Sequence, residues 1–204
     1  AHVAMVTCGD YLQGGTAGAI SNGQYIADIM RNMNYTAITL GNHEFDNGIE
    51  ELARRLRMMR CPALCANYNF SGTPLKKQVA PYTIIQRGGF TIGIIGLLTD
   101  VSHVVEAQIA SKLTYMDPVV VVRRYASLLK KKKGCDIVIC LSHLGYRQDL
   151  HLAGCVRDVD IIVGGHSHTE MDAPVMEKDL DGHEVMIVQD GSWGYTIGKI
   201  ELTK

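Results

Sequence analysis

TAITLGNHEFD, residues 36–46, sets a β-rich apolar run directly against a polar cluster, and the fold follows from how often that arrangement recurs. Thr36 to Leu40 has the β-branched and apolar character of a short buried strand, and Gly41-Asn42 breaks it. Three other stretches have the same form. Val3 to Cys8 runs into Gly9-Asp10, Ile137 to Leu141 into Ser142-His143-Leu144-Gly145, and Val159 to Val163 into Gly164-Gly165-His166-Ser167-His168. In open α/β sheets the ends of the strands face the ligand crevice. The four clusters are therefore expected to converge from distant parts of the chain.

Between these strands lie helical stretches. Gln24 to Met33 places Tyr25, Ile26, Ile29, Met30 and Met33 at helical spacing, and Ile49 to Met59 is a second helix rich in Arg and Leu. Pro62 to Ala66 begins a further strand. Tyr82 to Gln86 and Phe90 to Leu97 flank Arg87-Gly88-Gly89, a hairpin turn. Asp117-Pro118 opens a helix, because Asp caps free N–H groups and Pro suits the first turn. That helix runs to Lys133 and stops at Gly134. From Met171 onward the chain reads as β-hairpins, with Asp181-Gly182 as a turn. Helices between strands, followed by hairpins, imply an α/β (α+β) architecture of mixed sheets covered by helices. Residues 1–204 read as a single domain, without repeat, linker or low-complexity segment.

A chain of 204 residues with 47% apolar and 20% charged residues suits one globular core. A net charge of −1 gives no electrostatic reason to expect a nucleic-acid partner, and no apolar run is long enough to span a bilayer. Lys130 to Lys133 complement a helix C-terminus, and Arg54, Arg55, Arg57 and Arg60 read as a solvated helix face. The six cysteines form no CxxC pair, and most of them sit in apolar runs as small hydrophobes. His2 reads as a strand residue; His103, His151 and His183 read as surface residues.

The four clusters carry the donors of a metal site. Asp10 offers a carboxylate, Asn42 a carbonyl oxygen, and His143, His166 and His168 imidazoles. Mixed oxygen and nitrogen donors suit divalent zinc, manganese, iron or cobalt, and two such ions can share a carboxylate and clamp a phosphoryl group.

The order GD…GNHE…SH…GGHSH resembles that of the calcineurin-like metallophosphoesterases. The longer forms GDYLQGG, GNHEFDNG and LSHLG, with the closing QDGSWGYTIGKIEL, are similar to the 5′-nucleotidase branch. The resemblance implies a four-layer αββα sandwich of two mixed sheets holding two divalent metal ions. It implies Asp10 as the carboxylate bridging both ions, Asn42, His143 and His166 as further ligands of one, and His168 as a ligand of the other. His43 would be the catalytic histidine, oriented by Asp46, and Asn42 and His43 would contact the substrate phosphate. The implied activity is hydrolysis of nucleotide phosphomonoesters by metal-activated water. Phosphodiester, nucleotide-sugar or sulfur-ester hydrolysis on the same scaffold is the alternative, as is a non-catalytic remnant.

One departure stands out. The family's earlier Asp-x-His motif is absent, so the expectation is a domain lacking its first strand, with one metal short of ligands. The resemblance also implies a C-terminal nucleoside-binding domain, which is not expected within residues 1–204, so that a separate domain or partner chain would supply it. The resemblance further implies a periplasmic or extracellular location.

Overall fold

A computed structural model describes residues 2–103 and 105–203. Strand β1 (Val6–Thr7) leads through helices α1 (Thr16–Ser21) and α2 (Gln24–Met33) to β2 (Ala37–Thr39). Helix α3 (Ile49–Met59) follows, then β3 (Ala63–Leu64), β4 (Tyr68–Asn69) and β5 (Val79–Ala80). A hairpin, β6 (Tyr82–Arg87) and β7 (Phe90–Leu98), precedes the short α4 (Ala107–Ala110) and β8 (Thr114–Tyr115). Helix α5 (Pro118–Ser127), β9 (Ile137–His143), α6 (Tyr146–Cys155) and β10 (Ile161–Val163) complete the alternating part, and β11 (Val175–Lys178) and β12 (Glu184–Val188) form the last hairpin.

These elements stack as four layers. Strands β1-β2-β3-β5 form a small sheet that is parallel throughout, whereas β11-β12-β10-β9-β7-β6 form a larger mixed sheet. Three apolar cores fill the gaps between layers. Ile38, Leu40 and Phe45 pack with Leu52, Leu56 and Met30 between the small sheet and helices α2 and α3. Ala37 and Leu64 meet Ile92, Ile94 and Leu141 between the two sheets. Ile95, Leu97 and Cys140 pack with Val122, Leu129 and Leu152 beneath α5 and α6. Strands buried on both faces need near-continuous apolar sequence, which is how β7 and β9 read.

The sheets approach closely where β3 ends against β7. The Ala66 N–H donates to the Gly96 carbonyl at 2.7 Å, and a Cβ on Gly96 would collide with the Leu64 carbonyl. Only glycine permits that spacing.

Helix caps follow the sequence. Asp117 Oδ1 accepts from the N–H groups of Val119 (2.7 Å) and Val120 (3.2 Å), and Gly134 ends the segment at φ 68° after a π turn over Leu128–Lys132. The β6–β7 turn is tighter than expected, because Arg87 pairs with Phe90 and leaves only Gly88-Gly89 in the loop.

Three readings are corrected. Arg55 is not a solvated residue: it is buried, paired with Glu51, and donates to the carbonyls of Asn22 and Ser21. The strand expected over Val3 to Cys8 shortens to two residues, with Val3 exposed and His2 outside it. The closing stretch forms no strand among residues 191–203, and Trp193, Tyr195 and Ile197 face outward. Strand β12 is already paired on both sides, by β11 and β10, so the residues that follow it have no place beside it in that sheet.

Candidate metal centre

Each of the four polar clusters follows a strand end, and the parallel pairings bring them to one edge of the sandwich. β1 pairs with β2, and β9 with β10, so Asp10 and Asn42 leave one sheet where His143 and His166 leave the other. Asp10, His143 and His166 offer ligand atoms that all lie within 4.8 Å of one another. Asn42 joins them: its Oδ1 is 3.2 Å from His143 Nε2. Asp10 Oδ2 is 3.1 Å from the same nitrogen.

His143 is almost fully buried, and its two nitrogens have distinct surroundings. Nδ1 lies 2.5 Å from the Cys8 carbonyl oxygen. A carbonyl only accepts, so Nδ1 carries the hydrogen and donates. In the neutral ring, Nε2 then presents a lone pair toward two further acceptor oxygens, Asp10 Oδ2 and Asn42 Oδ1. Three lone pairs aimed at one point repel one another unless a positive charge sits among them. Burial pulls the His143 pKa down, but the Asp10 carboxylate outweighs it and the net shift is upward, toward imidazolium. A divalent cation satisfies the same demand without the proton, and an Nδ1–H held by a carbonyl is how metal-ligating histidines are commonly fixed. The donor set therefore fits a metal ion.

His166 completes the group, its ring 5.0 Å from that of His143. Burial and the neighbouring His143 lower its pKa, which keeps it in the neutral form that a ligand requires. His168 lies outside the three-residue group, with its ring 6.3 Å from that of Trp193. Both His166 (φ 71°) and His168 (φ 53°) adopt the left-handed conformation, as does Asp10 (φ 59°). Such strain in residues with a Cβ gathers at functional sites.

Two glycines give the site its closeness. Gly9 has φ 92°, and a Cβ there would lie 2.8 Å from His143 Nδ1; a Cβ on Gly41 would overlap Asp10 Oδ1.

His43 stands at the rim, half exposed. Its backbone N–H donates to Asp10 Oδ1 at 2.9 Å, and its Nδ1 lies 2.8 Å from Asp46 Oδ2. The Asp46 hydrogen bond raises its pKa, so the imidazolium persists to higher pH. The structure thus brings Asp10, Asn42, His43, His143 and His166 together, with Asp46 behind His43.

Two buried carboxyl groups escaped the sequence reading. Glu44 sits inside the quoted GNHE stretch, 2% exposed, and accepts four backbone N–H bonds. Asp149, on α6, is fully buried and accepts from Ser142 Oγ at 2.5 Å. Desolvation raises the pKa of each to about 7. Helix α6 itself was not read from the sequence, so Asp149 had no element to sit on.

The family model for calcineurin-like phosphoesterases matches residues 2–170. An apyrase of Aedes albopictus is 35% identical over 97% of this chain and 38% of its own, and a snake venom 5′-nucleotidase of Gloydius brevicauda is 31% identical over 98% and 37%. The crystal structure of a 5′-nucleotidase precursor from Thermus thermophilus superposes with a TM-score of 0.89 at 33% identity, covering 95% of this chain and 40% of that one. The chain thus spans roughly two fifths of the length of these relatives. No helix among the described residues is long and apolar enough to cross a membrane. From the strand-end clusters, the layered sheets and these likenesses together, the chain belongs to the calcineurin-like phosphoesterase family.

Proposed function

We propose that this domain hydrolyses phosphomonoesters of nucleotides with the help of two divalent cations. The observation that carries the reading is the orientation of His143: its Nδ1–H is committed to Cys8, so Nε2 converges with Asp10 Oδ2 and Asn42 Oδ1 on one point. Asp10, Asn42, His143 and His166 would hold one cation, and Asp10 and His168 contribute to the other. When bound, such cations neutralise phosphoryl oxygens and lower the pKa of water. Zinc, manganese, iron and cobalt all suit the donors.

The remaining work falls to His43. With Nδ1 on Asp46, its Nε2 points away from that bond, and the raised pKa keeps a proton there. From that atom it donates to the leaving alkoxide as the phosphorus–oxygen bond breaks. Asp46 fixes the ring and supports its charge, and Asn42 and His43 contact the phosphate. The likeness to nucleotidases supports the substrate class.

Turnover of a nucleoside monophosphate by the intact protein with added Mn2+ tests this. Replacing His43 with Ala is expected to lower kcat about a hundredfold or more; full turnover in H43A would remove the role assigned to it. Assaying a cyclic nucleotide, a nucleotide sugar and a sulfur ester alongside separates the other reactions of this scaffold. The likeness to a venom enzyme supports a place outside the cytoplasm, periplasmic or extracellular, which cell fractionation checks.

A further inference from the structure

Glu44 is buried at 2% exposure, yet its carboxylate has every acceptor position filled. Oε2 accepts the N–H groups of Asp10 (2.6 Å) and Gly41 (2.6 Å). Oε1 accepts those of Tyr11 (2.9 Å) and Leu12 (3.1 Å). Three of the four donors are consecutive, which requires the chain to turn their N–H groups to one side. The left-handed conformation of Asp10 does this and makes a nest of backbone donors around an anion. The same turn sends the Asp10 side chain the other way. Its Oδ2 reaches His143 Nε2 and its Oδ1 accepts from the His43 N–H. The fourth donor, Gly41, precedes Asn42. One carboxylate therefore ties the loop that carries the first oxygen donor to the turn that carries the second.

We propose that Glu44 is a positioning residue of the metal centre: its four N–H bonds hold Asp10 in the left-handed conformation and lock the Asp10 and Asn42 segments together. This rests on the reading of Asp10 and Asn42 as metal ligands. Only a carboxylate can do it. Glutamine has the same shape but offers one acceptor oxygen, and its amide group would face two N–H donors across the other position. Aspartate keeps both oxygens but is one methylene shorter.

The test is Mn2+ binding to the full chain, by competition with a fluorescent chelator, for native protein, E44Q, E44D and D10N, with circular dichroism reporting the fold. E44Q is expected to keep the native spectrum, to bind Mn2+ about 10–100-fold more weakly, and to regain hydrolysis as Mn2+ is raised. E44D is expected to lose less. Native affinity in a folded E44Q, with D10N impaired, would overturn the proposal and leave the metal reading intact. Native affinity in D10N would overturn the metal reading itself. If E44Q does not fold, E44D decides: weakened binding in a folded protein supports the proposal, and native binding overturns it. Failure of both to fold overturns it in favour of a purely structural role.

Discussion

Asp149 shows how a single buried residue sets a pH dependence. One carboxyl oxygen takes the Ser142 hydroxyl; the other packs where a Cβ on Gly164 would lie 2.5 Å away and has no partner among the described residues. Burial raises its pKa from 3.8 to about 7. The folded state therefore holds this proton more tightly than the unfolded one, and stability falls as pH rises between those two values. Asn has the same shape and never ionises. The Tm of D149N relative to the native protein should therefore increase from pH 4 to pH 8, measured by thermal unfolding with chelator present. Parallel curves across that range would show that Asp149 titrates elsewhere.

At the same scale, the sequence exposed the donors but not what orients them. Asp10, Asn42, His143 and His166 were legible because each follows a strand and because their types suit a divalent ion. Glu44 was not, although it lies two residues from Asn42. Three of its four partners are backbone N–H groups more than thirty positions earlier, and no side-chain pattern records a left-handed turn at Asp10. Arg55 was misread for a related reason. Its spacing on α3 matches the other arginines, while its burial depends on the carbonyls of Ser21 and Asn22 across the α1–α2 turn.

Among the elements, helices with strong apolar spacing were read to the residue: α2 and α3 begin and end where periodicity placed them. Short strands were not, because two or three residues carry no period, and β1 and β3 exist through pairing with β2 rather than through their own sequence. The N-cap of α5 offers a local check. D117A should lower unfolding free energy by about 1 kcal/mol, read by urea denaturation, without changing turnover. The crossing of β7 against β3 offers a stricter one. Gly96→Ala forces a Cβ against the Leu64 carbonyl, and overpacking of that kind typically costs about 1–3 kcal/mol. A neutral G96A in the same denaturation experiment would mean that the sheets sit further apart.

For the whole molecule, sheets covered by helices followed from strand–helix alternation, the four-layer sandwich from the family resemblance, and the site from the rule that ligands bind at strand ends. What the pattern overstated was the tail after β12, since an apolar, β-rich sequence forms a strand only where it pairs, and residues 191–203 pair with no strand among the described residues. Metal binding should be visible in global stability too. Mn2+ at about a hundred times its Kd adds about 2.7 kcal/mol to the folded state, which for a domain of this size raises Tm by roughly 5–10 °C. D10N should show little of that gain.

The claim on which the rest stands is that four segments, distant in sequence, gather one cation. Anomalous diffraction from crystals soaked in Mn2+ measures this directly. The expected peak lies among Asp10 Oδ2, Asn42 Oδ1, His143 Nε2 and the His166 ring. A Mn2+ peak elsewhere on the molecule, with that position empty, would contradict the account.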